Sequence, residues 1–212
     1  MPGERPLLRG VSHRGAFYVA VVAGIVLVAA SGDARTRIAT AIYATLLAGM
    51  FGVSATLHRS DWGPRMFGWL RRADHAMIFA FIAGTYTPFC MLAMRAPAGA
   101  RLLALAWSAA GLGILRATLW PHAPRWITSV LFVAVGWVVI AYGAEVHAAL
   151  DPVTFGLLIA GGLWFTAGAL VYLVRRPDPW PRVFGFHEVF HVMIIAGCTC
   201  HFIAVTRIAL RS

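Results

Sequence analysis

Seven stretches of this chain are each long enough to cross a lipid bilayer and nearly free of charge, and little sequence remains between them. They lie at residues 14–31, 37–58, 74–94, 101–120, 126–147, 153–174 and 184–207. A membrane-spanning helix needs roughly 20 mainly apolar residues. Hydrocarbon offers nothing to hydrogen-bond a peptide group, so each span must satisfy its own backbone as a helix or close into a barrel. These runs are too long and too uniformly apolar for barrel strands. The sequence therefore predicts an all-α, polytopic membrane protein, one seven-transmembrane helix bundle occupying residues 1–212 as a single domain. With 60% hydrophobic and 12% charged residues, it carries about half the charge of a soluble domain.

All 18 basic residues are arginine and the net charge is +10, a balance that in a soluble protein would suggest nucleic acid. Membrane topology accounts for it instead. With a cytoplasmic N-terminus, the inner segments hold Arg5, Arg9, Arg14, Arg59, Arg65, Arg71, Arg72, Arg116, Arg125, Arg175, Arg176 and Arg182. Only Arg35, Arg37, Arg95, Arg101, Arg207 and Arg211 face out. Basic residues concentrate on the cytoplasmic side, so the expectation is N-terminus in, C-terminus outside, in the inner membrane of a bacterial cell. Trp62, Trp69, Trp120, Trp126 and Trp180 gather beside the inner loops as an interfacial belt would. Membrane lipids are the expected partners and nucleic acid is not; the sequence leaves the oligomeric state open. The first run, preceded by arginines and ending Ala29-Ala30-Ser31-Gly32, also has the outline of a signal peptide. Its removal would leave six spans in the same orientation.

Local signals add detail. Asp61-Trp62-Gly63-Pro64 reads as a turn, and Met66 to Arg72 as a short interfacial helix separate from the third span. Pro88 falls inside the third span and invites a kink. Cys90, Cys198 and Cys200 lie within spans and imply no disulfide framework.

Against this apolar background a few polar residues stand out, all placed on the inner side. His58 ends the second run, Asp74 begins the third, and His187 and His191 sit near the start of the last. Ionisable groups at such depth are costly and mark function by default. In His187-Glu188-Val189-Phe190-His191 the imidazoles are four residues apart, so they share a helix face about one turn, roughly 5–6 Å, apart. One metal ion can span that gap, and His58 falls at the same depth. Zn2+ suits three neutral imidazoles and keeps a fourth position open when it is catalytic. Ser54 lies one turn before His58 on the same face. Asp74 opens its helix beside Arg71 and Arg72, where it can serve as an outer-shell base. His13, His75, His122, His147 and His201 are expected to lie outside the metal site. The pentapeptide also matches HExxH, in which the glutamate is the base of a metalloprotease. The alternative place for Glu188 is the rim, near Arg182.

These residues carry a resemblance. Leu8-Arg9-Gly10-Val11-Ser12-His13-Arg14, Ser54-x-x-x-His58, Ala73-Asp74-His75-Ala76-x-Ile78, Ile82-Ala83-Gly84-Thr85-Tyr86-Thr87-Pro88 and His187-x-x-x-His191 are similar to motifs of the bacterial hemolysin III branch of the progestin and adipoQ receptor family. The likeness spans almost the whole chain. It implies a seven-helix bundle with a cytoplasmic N-terminus, zinc held by His58, His187 and His191, and Asp74 and Ser54 near the metal-bound water. Members related to the adiponectin receptors, and the similar alkaline ceramidases, act on the amide of ceramide-type lipids. The long N-terminal region of the animal receptors has no counterpart in this sequence, so receptor signalling is not carried over.

The leading expectation is accordingly a zinc-dependent hydrolase of a lipid amide, with Asp74 and Ser54 as catalytic residues. One alternative is a sensor or regulator of membrane state in which zinc is structural. The other is a lytic pore, which the family name suggests, although the sequence shows no row of ionisable residues crossing the whole bilayer.

Overall fold

The structure is a computed structural model describing residues 6–59 and 61–211; Arg5, counted above among the inner arginines, lies outside them. The helices are α1 (Val11–Ala30), α2 (Ala34–Arg59), α3 (Pro64–Pro88), α4 (Ala98–Leu119), α5 (Arg125–Gly136), α6 (Gly143–Ala149), α7 (Pro152–Val174) and α8 (Phe186–Ala209). A 3-10 segment, Trp137–Tyr142, joins α5 to α6. Taken together as one span, α5, this segment and α6 bring to seven the helices among the described residues that are long and apolar enough to cross a membrane. The protein is a multi-pass membrane protein with the expected all-helical architecture.

Two spans differ from expectation. The separate interfacial helix over 66–72 does not exist, because α3 runs unbroken from Pro64 into the third span. Pro64 occupies its first turn, where a missing N–H costs nothing, and nothing between Leu70 and Asp74 breaks a helix. At its other end, from Pro88 on, the helix widens into a π-helical turn over Phe89–Ala93. The fifth span is interrupted rather than continuous. The Tyr86 hydroxyl of α3 reaches the break, accepting from the Val139 N–H at 2.9 Å and donating to the Gly136 carbonyl at 2.7 Å. Irregular backbone at this depth persists only where protein satisfies it, and one phenol does so here.

Successive helices α1 to α4 pack side by side, α7 pairs with α8, and α8 returns against α1, α2 and α3. Between apolar helices in lipid, close van der Waals fit takes the place of a hydrophobic driving force. A Cβ added at Gly24 of α1 would stand 2.8 Å from the Ala44 Cβ of α2, so the two backbones approach where the small residues meet. The main core joins Leu27, Tyr43, Leu47, Phe51, Phe81, Phe89 and Val205 from α1, α2, α3 with its π turn, and α8. By contrast α5 buries only Thr128, Ser129 and Val135, and the 3-10 segment buries none of its residues.

The result is a bundle with two chemically distinct ends. One end holds the starts of α1, α3, α5 and α8 and the finishes of α2, α4 and α7. There Trp69, Trp120, Trp126 and Trp180 are exposed, as residues of an interfacial belt should be. The far end is closed by two repeated caps. Asp33 accepts from the Arg35 and Thr36 N–H groups, and Asp151 accepts from those of Val153 and Thr154. The Thr36 and Thr154 hydroxyls each donate to their aspartate at 2.6 Å. These bonds, Thr36 foremost for Asp33 and Thr154 then Arg207 for Asp151, hold both carboxyls below the usual carboxylate range.

Candidate metal centre

The first turn of α8 is fixed by its own glutamate. Glu188 is almost fully buried, and its Oε2 accepts from the Gly185 N–H at 2.9 Å, capping the start of the helix. His187 and His191 then project one turn apart toward α2, where His58 occupies the last turn. The three imidazoles meet. His58 Nε2 and His187 Nε2 lie 3.2 Å apart, and the ring centroid of His191 is 4.4 Å from that of His187 and 5.2 Å from that of His58. One ligand nitrogen from each of the three falls within 4.8 Å of the other two.

Two imidazole nitrogens facing each other at that distance need a proton or a cation between them. A tetrahedral ion with bonds of about 2.0–2.1 Å would separate its ligand atoms by about 3.3 Å, close to the 3.2 Å observed between His58 and His187. The donor set of three imidazoles from two helices therefore fits a metal ion. Among the described residues no other group of three or more His, Cys, Asp or Glu side chains is arranged to do so.

Ser54, one turn before His58, is buried, and its Oγ lies 2.9 Å from His13 Nδ1. The Asp74 carboxylate of α3 lines the same cavity as Ser54 and Arg9. Arg71 and Arg72, expected to flank Asp74, are turned away. Their guanidiniums donate to the Pro121 and Thr118 carbonyls at the finish of α4, the electronegative end of that helix.

The sequence placed His13 outside this centre, and the structure places it inside. Its ring stacks on His191 with centroids 3.7 Å apart and planes 14° from parallel. Backbone bonds from Leu7 N to Arg182 O and from Leu8 N to Val183 O tie the segment before α1 to the segment before α8. Gly10 then turns the chain with φ +71°, and a Cβ there would stand 2.8 Å from the His58 Cβ. Only glycine fits a left-handed turn pressed so closely on a neighbour. That turn sets Arg9 over Glu188, at 3.6 Å, and His13 against His191. Glu188 thus faces Arg9 and its own helix start rather than Arg182, which removes the arrangement a metalloprotease would need.

Comparison with known proteins settles the family. The haemolysin-III-related family model matches residues 3–202. The chain belongs to that family. It is 26% identical to hemolysin-3 of Bacillus cereus over 205 residues, covering 95% of this chain and 90% of that protein. It is 28% identical to a hemolysin-3 homolog of Bacillus subtilis over 153 residues, 72% of this chain and 69% of the relative. A heptahelical transmembrane protein of Oryza sativa subsp. japonica, ADIPOR2, is 32% identical over 148 residues, 62% and 64% of the two chains. These relatives place it in the hemolysin III branch of the progestin and adipoQ receptor family, as the motifs implied.

In this family member the histidine cluster opens into a cavity of about 410 Å³. Arg9, His13, Ser54, His58, Asp74, His187 and His191 form its polar part, and Phe81, Ile82, Leu102, Leu158 and Phe165 are among the apolar side chains farther along. His75, expected at the interface, also lines this cavity, with its ring in edge contact with Phe132. His201 lies deeper along it, bonded to the Leu158 carbonyl at 3.1 Å and outside the three-histidine group, as expected. A cavity of this size is in the range of small-molecule sites.

Proposed function

We propose that this protein is a zinc-dependent hydrolase of ceramide-type lipid amides, held in the bacterial inner membrane with its histidine end toward the cytoplasm. The excess of arginine at the histidine end supports that orientation. The observation that carries the activity is the meeting of His58, His187 and His191 at the polar end of an apolar cavity, with Ser54 and Asp74 beside them.

His58, His187 and His191 would hold the ion. When bound, zinc polarises an acyl carbonyl and makes a water molecule acidic enough to attack at neutral pH. Asp74 accepts the proton of the attacking water and returns it to the departing amine nitrogen, so that amide and water become fatty acid and free amine. An ionised Asp74 can only accept hydrogen bonds, so the Ser54 O–H donates to it and the His13 Nδ1–H donates to Ser54 Oγ. That relay, His13 to Ser54 to Asp74, holds the carboxylate in one orientation. The acyl chain lies along Phe81, Ile82, Leu102 and Leu158. The sparsely buried α5 and its 3-10 continuation give the side by which a lipid reaches the cavity from the membrane.

The test is hydrolysis by purified, metal-saturated protein in detergent, with ceramide, a simple acyl amide and an acyl ester as substrates. Release of fatty acid from ceramide that disappears in Asp74→Asn supports the reading. No turnover of any of the three, with Asp74→Ala indistinguishable from the native chain in cells, would overturn it.

A further inference from the structure

The mouth of the cavity holds a second set of groups that hydrolysis leaves unused. Arg71 of α3 and Arg125 at the start of α5 line it, and Arg116 of α4 stands behind them, bonded to Thr128 of the lining. Arg71 and Arg116 both lie near enough to His75 for their charges to bear on it. The Arg125 guanidinium sits 5.3 Å from the centroid of the Tyr172 ring, which the Arg116 charge also reaches. Among the described residues none of these three guanidiniums has a carboxylate within ion-pair distance; the pairs formed are Arg9 with Glu188 and Arg207 and Arg211 with Asp151.

Their donors are also incompletely used. Arg71 Nη2 donates to the Pro121 carbonyl and Arg116 Nη2 to Thr128 Oγ1, both at 2.5 Å. Nε and Nη1 of Arg116 are buried with no hydrogen-bond partner, and so is the neighbouring Ser129 hydroxyl. Buried polar atoms without partners are rare and call for a ligand or water. Three like charges brought together without an anion repel one another. An arginine that merely snorkels would place its head in the interface with its donors wet, whereas here two donors of Arg116 are sealed in.

The neighbourhood specifies the ligand. Arg71, His75, Arg125, Thr128 and Ser129 line the same cavity as the apolar side chains deeper in the bundle, so an occupant of this mouth has an anionic head and an apolar body. Guanidinium forks match the paired oxygens of a phosphate, and hydroxyls supply the remaining donors.

We propose that Arg71, Arg125 and Ser129, with the Arg116 charge behind them, bind the phosphate group of an anionic lipid whose acyl chains enter the cavity. The subsite does not depend on the hydrolase reading, and its test reads binding rather than turnover. The metal-loaded full chain in neutral detergent is titrated with dioctanoyl phosphatidic acid, dioctanoylglycerol and inorganic phosphate, and bound metal is measured in parallel. The phosphatidic acid should bind about tenfold or more tightly than the diacylglycerol, the gain expected of charge-assisted hydrogen bonds. Arg125→Gln, at an exposed side chain, and Arg71→Gln should each remove most of that preference while bound metal stays unchanged. Inorganic phosphate should compete only weakly, identifying a lipid headgroup as the source. Equal affinity for phosphatidic acid and diacylglycerol, or a preference that survives both substitutions, overturns the proposal; inorganic phosphate binding as tightly as the lipid overturns its lipid half. Absence of ceramide hydrolysis with the preference intact would count against the catalytic reading alone.

Discussion

Both ends of the bundle carry charge, and they treat it in opposite ways. At the far end Asp151 is fully occupied: Oδ1 accepts from Val153 N, Thr154 N and Arg207 Nη2, and Oδ2 from Thr154 Oγ1 and Arg211 Nη1. One carboxylate thereby fastens the start of α7 to the finish of α8. At the histidine end buried atoms are left over: Ser12 Oγ, His13 Nε2, Glu188 Oε1, His191 Nδ1, Ser129 Oγ and two nitrogens of Arg116 have no hydrogen-bond partner. Elsewhere among the described residues only Tyr43 Oη and His201 Nδ1 are in that condition. A folded chain satisfies nearly all of its buried polar groups. Concentrated exceptions mark the place where something other than protein completes the structure. The far end is a clamp, and the histidine end is a site.

Substitutions at the two ends should therefore fail differently. The largest effect on chemistry is expected from Asp74→Asn, which keeps the shape and removes the base: ceramide hydrolysis should fall by about 10²–10⁴-fold, with bound metal and melting temperature unchanged. Full activity in that variant would deny Asp74 its role. His13→Phe keeps a ring stacked on His191 but ends the relay to Ser54. Activity should drop by about tenfold, the worth of one well-placed hydrogen bond to a charged network, with metal retained. At the far end Asp151→Ala should lower the melting temperature in detergent, because two guanidiniums lose their partner, yet leave metal content and turnover alone. A matching loss of turnover would erase the distinction between clamp and site.

The acid limb of stability sharpens the same comparison. Thr154 and Arg207 hold the Asp151 carboxyl below its usual range, so the folded state binds its proton less readily than the unfolded chain does. The contribution of Asp151 is complete above the ordinary carboxyl value of about 4 and fades as pH falls below it toward the depressed folded value. Melting temperature followed downward from neutral pH should decline through that window in the native chain and decline less in Asp151→Ala. Equal slopes would mean that the clamp carries no stability.

Much of this was legible in the sequence, for physical reasons that also explain the misses. Hydropathy exposes spans because lipid tolerates little else, and the helical repeat alone puts His187 and His191 on one face. Counting depth from the span ends brought His58 to them. The break over Trp137–Tyr142 left no hydropathy signal, since its residues are as apolar as those around it; only Gly136 and Gly143 bracket it, and the Tyr86 hydroxyl that supports it comes from another helix. His13 was missed because its place depends on Leu7 and Leu8 binding the segment before α8, a contact between the two ends of the chain. Glu188 was readable in principle. A glutamate three residues after Gly185 at a helix start is a capping signal, and capping is where the structure uses it.

The central claim is that α2 and α8 share one metal ion, and metal analysis of purified protein tests it most directly. The account predicts about one zinc per chain in the native protein and its loss in His58→Ala, with helical content preserved. A His58→Ala protein that keeps the metal of the native chain would contradict it, because the ion would then be held without α2.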